Sequence, residues 1–285
     1  MKIVIMPKVG FCYGVERSIT MTKELINGNY QKPFNLLGML VHNNIVNDEL
    51  KSLGFNIVDI NNLADVLNNT NGTFITTAHG IKKENSQMIK DMGFTLIDTT
   101  CPIVLNNNNK IYKYYQNNYD IIYIGKRNHQ ESNVIKEYVH LIENENDIHN
   151  LNISNNLIVL TNQTTVSIVQ IEYFSKLIQE KYPNIIIDTC ICPATKERQQ
   201  KVLEEVKLHH NQLDKWIIIG DKLSNNTKKL VEIIKEYTDK YYFINCIEDV
   251  DNLDILENDT LYITSGTSTP NTFIDEVIEK IKKKW

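Results

Sequence analysis

The chain has 285 residues, 42% of them hydrophobic and 23% charged, with a formal net charge of −5. This composition is typical of a water-soluble globular protein, and the length allows one large domain or two to three small ones. No Lys/Arg block is long enough for a nucleic-acid track, and no apolar run reaches the length of a membrane span. The apolar stretch after Lys2 is too short for a signal peptide, so we expect a cytoplasmic protein with reduced thiols.

Short β-rich runs alternate with helical stretches along the whole chain. These runs are residues 2–6, 34–38, 55–60, 73–78, 95–99, 120–125, 139–143, 157–161, 184–188, 216–220, 241–245 and 260–266. They are apolar at both odd and even positions, which predicts parallel strands covered on both faces within βαβ units. The asparagine run at 106–109 is interpreted as an exposed helix or loop without function.

Three cysteines follow equivalent strands of a long repeat. Cys12, Cys101 and Cys192 recur at intervals of about ninety residues, too long for solenoid repeats and suited to small α/β domains. Two series of polar residues recur at similar intervals along the chain. The first comprises His42, then His129 with Glu131, then Ser224 with Asn226, and the second comprises His79, Thr164 with Thr165, and Ser268. Since ligands bind beyond the carboxyl ends of parallel strands, we expect these residues to form the functional site.

The repeat predicts three α/β lobes with about four strands each. We place the first lobe at residues 13–100, the second at 101–191 and the third at 192–285. The third segment has only three predicted strands, so we expect the N-terminal segment 1–12 to supply its fourth.

The repeat also separates the cysteines by function. Proline follows Cys101 and Cys192 directly, and proline is favoured at the first position of a helix. A helix N-terminus lowers a thiol's pKa and favours the thiolate, which binds metal. Cys190 lacks that proline and, like Cys246, is interpreted as structural. Three thiolates suit zinc or an iron–sulfur cluster, and the residues alone leave both open.

An ordered set of motifs identifies a family resemblance. The motifs are "GFCYGV", "VHN", "TAHG", "DTTCPIV", "QTT", "CPATKERQ" and "GTSTP", which lie between residues 10 and 271. In this order, they resemble the 4-hydroxy-3-methylbut-2-enyl diphosphate reductases of the methylerythritol phosphate pathway to isoprenoids. The resemblance implies a trefoil of three pseudo-threefold-related α/β domains, each a mainly parallel four-stranded sheet flanked by helices, around a central [4Fe–4S] cluster. It further implies reductive dehydroxylation of the substrate to isopentenyl and dimethylallyl diphosphate.

The resemblance also implies roles for individual residues. Cys12, Cys101 and Cys192 match the cluster ligands, and Glu131 matches the proton donor. The residues implied to bind the substrate are His42, His79, His129, Thr165, Ser224, Asn225, Asn226 and Ser268. His129 and Thr165 are expected beside Glu131 and share the catalytic assignment. Burial is expected to disfavour the charged form of this glutamate, and protonated His42 and His79 would add positive charge to the diphosphate site.

The chain departs from the family's usual pattern at a few positions. Lys126 stands where a histidine is usual, Gln130 where a proline is usual, and Asn225 where a serine is usual. The helix after Cys101 carries asparagines where a valine and a histidine are usual. None of these departures removes a proposed ligand or Glu131.

Two other functions remain as alternatives. The first is a zinc hydrolase or lyase, with three cysteine ligands, that acts on a phosphorylated metabolite. The second is a non-enzymatic iron–sulfur sensor, against which the polar residues around Glu131 argue, because a sensor needs no diphosphate pocket. The family implies an external electron donor of the ferredoxin or flavodoxin type. No nucleic-acid or membrane partner is expected.

Overall fold

The computed structural model describes residues 1–285. The strands are β1 (Lys2–Ile5), β2 (Phe34–Leu37), β3 (Phe55–Val58), β4 (Thr73–Ile75), β5 (Thr95–Ile97), β6 (Asp120–Ile124), β7 (His140–Ile142), β8 (Ile158–Asn162), β9 (Ile186–Ile187), β10 (Asp214–Ile219), β11 (Tyr241–Ile244) and β12 (Thr260–Ser265). The α-helices are α1 (Tyr13–Glu24), α2 (Asn44–Ser52), α3 (Leu63–Asn69), α4 (Lys83–Asp91), α5 (Pro102–Gln116), α6 (Gln130–Ile135), α7 (Glu145–Asn150), α8 (Ile168–Lys181), α9 (Pro193–Leu208), α10 (Asn225–Lys235) and α11 (Asn271–Lys284). Short 3₁₀ helices are Leu25–Asn27, Ile60–Asn62, Lys136–Tyr138 and Ile247–Asn252.

The strands form three four-stranded sheets with one common order. The first sheet is β3-β2-β4-β5, the second is β7-β6-β8-β9, and the third is β11-β10-β12-β1. Every pairing is parallel. The N-terminal strand β1 takes the fourth place in the third sheet, beside β12. The predicted α/β class with three parallel sheets is therefore confirmed, as is the strand borrowed from the N-terminus.

Central and edge strands differ in how well their faces are covered. In β10, Trp216 and Ile218 pack into one apolar cluster, and Ile217 and Ile219 pack into another. This two-sided burial explains why the strand is apolar at every position from 216 to 219. The prediction of two covered faces is wrong for the edge strand β9, whose Ile186 and Ile187 are each 44% exposed.

The chain divides into two compact units. Unit 1 contains residues Met1–Val15, His42–Asp48 and Pro193–Trp285, and unit 2 contains Glu16–Val41 and Glu49–Cys192. Unit 1 holds the third sheet, and unit 2 holds the first and second sheets. The three-lobe boundaries remain a prediction. None of the helices combines the length and the hydrophobicity that crossing a lipid bilayer requires.

Candidate active site

The three repeat cysteines share one local geometry. Each follows the fourth strand of its sheet and directly precedes a helix, and each backbone N–H donates to a carbonyl in the loop after the third strand. The pairs are Cys12 to Thr267 at 3.0 Å, Cys101 to Ala78 at 3.0 Å, and Cys192 to Thr164 at 2.9 Å. The same backbone hydrogen bond therefore occurs beside all three sheets, which agrees with the threefold repeat seen in the sequence.

The Cys101 thiol does not have the lowered pKa that its position predicts. Hydrogen bonds from the backbone of Ile103 and Val104 do lower the pKa, as expected at a helix N-terminus. Burial is the larger effect and raises the pKa above its usual value, and the charges of Cys192 and Glu131 act in the same direction. The prediction is therefore wrong for the metal-free protein, because desolvation of the thiolate outweighs the helix dipole.

Cys190 is held through its backbone. The side chain of Asn162 accepts from the Cys190 N–H at 2.9 Å and donates to the Cys190 carbonyl at 3.2 Å. Burial raises the pKa of the Cys190 thiol, and none of the five cysteines forms a disulfide. Asn162 thus fixes the peptide that leads into Cys192.

Glu131 is a buried carboxyl at the start of α6. The residue is 2% exposed, and one oxygen, Oε2, accepts hydrogen bonds from both the N–H and the hydroxyl of Thr164, each at 2.9 Å. Burial raises the pKa of Glu131 to about 7, although the two hydrogen bonds from Thr164 lower it. The prediction that its charged form is disfavoured is confirmed, and the carboxyl can hold a proton near neutral pH.

Two histidines flank this carboxyl. His129 caps α6 by accepting from the Glu131 N–H through Nδ1 at 3.2 Å, so its neutral ring carries the hydrogen on Nε2. His79 places Nδ1 4.0 Å from Oε1 of Glu131, and its ring meets that of His129 edge-on with centroids 5.2 Å apart. His79, His129 and Glu131 therefore form one cluster in unit 2.

The hydroxyl that bonds Glu131 belongs to Thr164. The sequence predicts Thr165 beside this carboxyl, but the donating hydroxyl is one residue earlier. Thr165 instead accepts from the side chain of Gln163 at 2.8 Å. The backbone dihedral angles of a loop decide where each side chain points. A sequence motif does not specify these angles, so it could not show which of the two threonines faces Glu131. The sequence did contain one indication that Asn162, Gln163 and Thr164 belong to the site, namely the polar run "NQTT" directly after a predicted buried strand.

Unit 1 carries the second group of predicted residues. Ser224 caps α10 by accepting from the Thr227 N–H at 3.3 Å, and Asn225 follows as the first helical residue, half-buried. Asn226 is 2% exposed, and neither polar atom of its side chain has a hydrogen-bond partner within the protein. A buried amide without partners is costly, which indicates that Asn226 is built to meet a polar ligand.

His42 and Ser268 lie together in the same unit. The Ser268 hydroxyl donates to the His42 carbonyl at 3.1 Å. Burial lowers the pKa of the His42 ring and Lys228 lowers it further, whereas Asp221 raises it. This lowered pKa opposes protonation of His42 in the protein without substrate, and the positive charge that a protonated His42 would add to the diphosphate site stays a prediction.

The departures from the family pattern have structural explanations. Lys126 uses its backbone N–H, which donates to Gln163 at 3.0 Å, while its side chain lies 3.5 Å from Glu143. Gln130 is the first residue of α6, and its side-chain oxygen lies 3.5 Å from the Thr77 hydroxyl. Another side chain at position 126 keeps the same backbone contact, so the missing histidine leaves this loop intact.

The interpretation of residues 106–109 as exposed is wrong for two of the four asparagines. Asn107 and Asn108 are 2% and 6% exposed. Asn107 donates to the Asn162 carbonyl at 2.9 Å and accepts from the Thr161 hydroxyl at 3.3 Å. The helical period places two of four consecutive residues inward, so a run of one residue type conceals two different environments.

Comparison with known proteins gives matches over almost the entire chain. The model of the LytB protein family matches residues 3–282. The 4-hydroxy-3-methylbut-2-enyl diphosphate reductase of Bacillus subtilis is 35% identical over 289 residues, which cover 99% of this chain and 90% of that protein. The reductase of the same name from Listeria monocytogenes is 36% identical over 285 residues, covering 98% and 85%.

Two solved structures have the same fold. The E-1-hydroxy-2-methyl-but-2-enyl-4-diphosphate reductase from Plasmodium falciparum superposes with a TM-score of 0.88 at 28% identity, covering 98% of this chain and 87% of that one. A structure of (E)-4-hydroxy-3-methyl-but-2-enyl diphosphate reductase, described as the terminal enzyme of the non-mevalonate pathway, gives 0.69 at 25% identity and covers 99% of both chains. These matches confirm the resemblance found in the sequence motifs. This chain belongs to the LytB protein family.

Proposed function

We propose that this protein is an oxidoreductase that converts (E)-4-hydroxy-3-methylbut-2-enyl diphosphate to isopentenyl and dimethylallyl diphosphate. This reaction is the last step of the methylerythritol phosphate pathway, and it consumes two electrons and two protons and releases water. Family membership and the names of the relatives support the proposal. The observation that carries it in this chain is a buried Glu131 with a pKa raised to about 7.

The family implies a metal cofactor, and we propose a [4Fe–4S] cluster with Cys12, Cys101 and Cys192 as ligands. The donor set fits, because each of these cysteines directly precedes a helix and is tied by its N–H to the neighbouring loop. When bound, such a cluster supplies electrons and a Lewis-acidic iron for the substrate's hydroxyl oxygen.

Glu131 is the proposed proton donor to that hydroxyl, which leaves as water. Its Oε2 already accepts two hydrogen bonds from Thr164. The acidic proton therefore resides on Oε1, the oxygen that faces His79. A pKa of about 7 keeps a large fraction of the carboxyl protonated at neutral pH and still allows it to release the proton.

The histidines and the unit 1 residues are proposed to bind the substrate. His129 can donate from Nε2 because Nδ1 is occupied by the α6 cap, and His79 adds a second ring beside Glu131. Thr165 stays a proposed substrate contact, although the hydroxyl that bonds Glu131 is that of Thr164. The proposed diphosphate contacts are His42, Ser224, Asn225, Asn226 and Ser268. The partnerless amide of Asn226 supports this assignment most directly, since phosphate oxygens would satisfy its Nδ2.

The remaining proposals concern the electron donor and the compartment. We propose a ferredoxin- or flavodoxin-type donor, which the family resemblance implies, and a cytoplasmic location, where thiols stay reduced. Reconstitution with each purified donor tests the first proposal, and cell fractionation tests the second.

Anaerobic purification followed by a dithionite-driven assay tests the proposed reaction. We expect brown protein that contains iron and sulfide and forms both products from the hydroxylated allylic diphosphate. The alternative of a zinc hydrolase or lyase predicts colourless protein with stoichiometric zinc and no reductive product. That outcome would overturn the proposal.

A further inference from the structure

We propose that Asp221 is a positioning residue that holds the segment His42–Asp48 against the proposed diphosphate site in unit 1. Asp221 lies just beyond the end of β10 and is 5% exposed. Its Oδ2 accepts from the Asn44 N–H, the first of α2, at 2.8 Å, and its Oδ1 accepts from the Leu223 N–H at 2.8 Å. The inference rests on the proposed reductase function, in which residues of unit 1 bind the diphosphate.

The segment His42–Asp48 is separated from its neighbours in the chain. It lies between β2 and β3, which belong to unit 2, yet it groups with unit 1. Two hydrogen bonds attach its first residues to loops that follow strands of the third sheet. Asn44 donates to Asp221 after β10, and the Ser268 hydroxyl, after β12, donates to the His42 carbonyl. Asp221 therefore makes one of the bonds that determine where His42 lies.

The first turn of α2 shows why a carboxylate suits this position. The first N–H groups of a helix have no partner within the helix. The side chain of Asn43 accepts from the Val46 N–H at 3.3 Å, and Asp221 accepts from the Asn44 N–H. The helix dipole also stabilises a negative charge at a helix N-terminus. The contact is thus favourable both as a hydrogen bond and as a charge interaction.

Asp221 also contacts the helix start that carries the buried amide without partners. Its carbonyl accepts from the N–H of Ser224, the cap of α10, at 3.0 Å. Asn226, two residues further on, has the side chain whose polar atoms have no partner within the protein. Besides burial, the charges of Asp221 and Lys228 shift the pKa of the His42 ring, which places His42 near this helix. Asp221 thus joins the His42 segment to the place where a polar ligand is expected.

Asp221→Asn separates positioning from a simple effect of charge, because the two effects have opposite signs. Asparagine has one acceptor oxygen where aspartate has two, and its NH₂ group can only donate. The Leu223 N–H, two residues along the same loop, keeps the oxygen, so Asn44 loses its bond. Loss of a negative charge near a bound anion would by itself tighten binding. If Asp221 positions His42, binding should weaken instead.

Calorimetric titration of the anaerobically purified protein with inorganic diphosphate measures this effect without catalysis. We expect the Kd of Asp221→Asn to rise about tenfold, with normal iron content and an unchanged circular dichroism spectrum. Asp239→Asn, at an exposed position beyond the C-terminal end of α10, is the matched control for the lost charge and should keep the wild-type Kd. Unchanged or tighter binding by Asp221→Asn would overturn the proposal.

A double-mutant cycle with His42→Ala tests whether Asp221 acts through His42. In that background, Asp221→Asn should not weaken diphosphate binding any further. An equal loss in both backgrounds would contradict the proposal, since it would indicate a general disruption of unit 1. If Asp221→Asn does not fold, Asp221→Ser takes its place, with the same expected result and the same contrary outcome, because its hydroxyl can still accept from the Leu223 N–H.

The wild-type protein distinguishes this inference from the proposed reaction. Binding of inorganic diphosphate without formation of a reductive product would refute the reductase reaction, while the comparison of the variants would still decide the role of Asp221. A wild type that does not bind inorganic diphosphate would refute the proposed diphosphate site, and this inference with it.

Discussion

Among single residues, Glu131 shows how burial changes the chemistry of a common side chain. Water is excluded from its carboxyl, which disfavours the charge, while two hydrogen bonds from Thr164 favour it. Desolvation is the larger effect, and the pKa is raised to about 7. The same residue on an exposed loop would be ionised near neutral pH and unable to donate a proton.

Glu131→Gln should keep the fold and lose most of the activity. The amide retains the shape and can still accept from Thr164, but it has no acidic proton. We expect kcat to fall by about 10²- to 10⁴-fold, the usual contribution of a general acid, with unchanged iron content. A dithionite-driven assay with matched iron analysis measures both, and a kcat close to that of the wild type would contradict the acid role.

The raised pKa also predicts the pH dependence of activity. Below about pH 7, Glu131 is protonated and competent to donate. Above that value it ionises, so kcat should fall as the pH rises through the neutral range. A kcat profile from mildly acidic to mildly basic pH checks this prediction, with an electron donor whose own rate is constant over that range. A kcat that increases steadily across the range would exclude Glu131 as the acid.

The same shift predicts the direction of the pH effect on stability. The folded-state pKa of about 7 lies above the usual value of 4.5, so the folded protein binds the proton more tightly. This contribution to the free energy of unfolding is fully present below about pH 4.5 and is lost as the pH rises through about 7. Urea unfolding of wild type and Glu131→Gln on either side of pH 7 should show a larger loss of stability in the wild type at the higher pH. Equal losses would argue against the shifted pKa.

Among the helices, α5 shows two faces within one asparagine run. Asn107 bonds Thr161 and Asn162, the last two residues of β8, through two hydrogen bonds, whereas Asn109 is exposed. Gln163 and Thr164 directly follow this end of β8, so α5 supports the segment that bonds Glu131.

Asn107→Ala should therefore be much more destabilising than Asn109→Ala. The first change leaves the Asn162 carbonyl without this donor in a buried place, at a cost of about 1–3 kcal/mol in the free energy of unfolding. The second change should alter it by less than about 0.5 kcal/mol. Urea unfolding of both variants under identical conditions measures the difference, and equal effects would mean that the two hydrogen bonds contribute nothing.

At the scale of the whole molecule, serine substitutions test whether one cysteine from each of the three repeats binds the cluster. Cys12→Ser, Cys101→Ser and Cys192→Ser should each lose cluster iron and the visible absorbance, because each removes one thiolate. Cys190→Ser is the matched control and should keep both, since the Asn162 contacts involve the Cys190 backbone. Iron loss in Cys190→Ser but not in Cys192→Ser would show that the ligand assignment is wrong.

The sequence by itself determined the three-sheet architecture, the strand borrowed from the N-terminus and the family. These features depend on local hydrophobic pattern, on the order of motifs and on repeats that survive in the residues. Only the tertiary structure decided which of two adjacent threonines bonds Glu131, that His42 has a lowered pKa, that Cys101 has a raised pKa and that Asn107 is buried. Each of these outcomes depends on desolvation and loop dihedral angles, which arise from residues distant in the chain and leave no local sequence pattern.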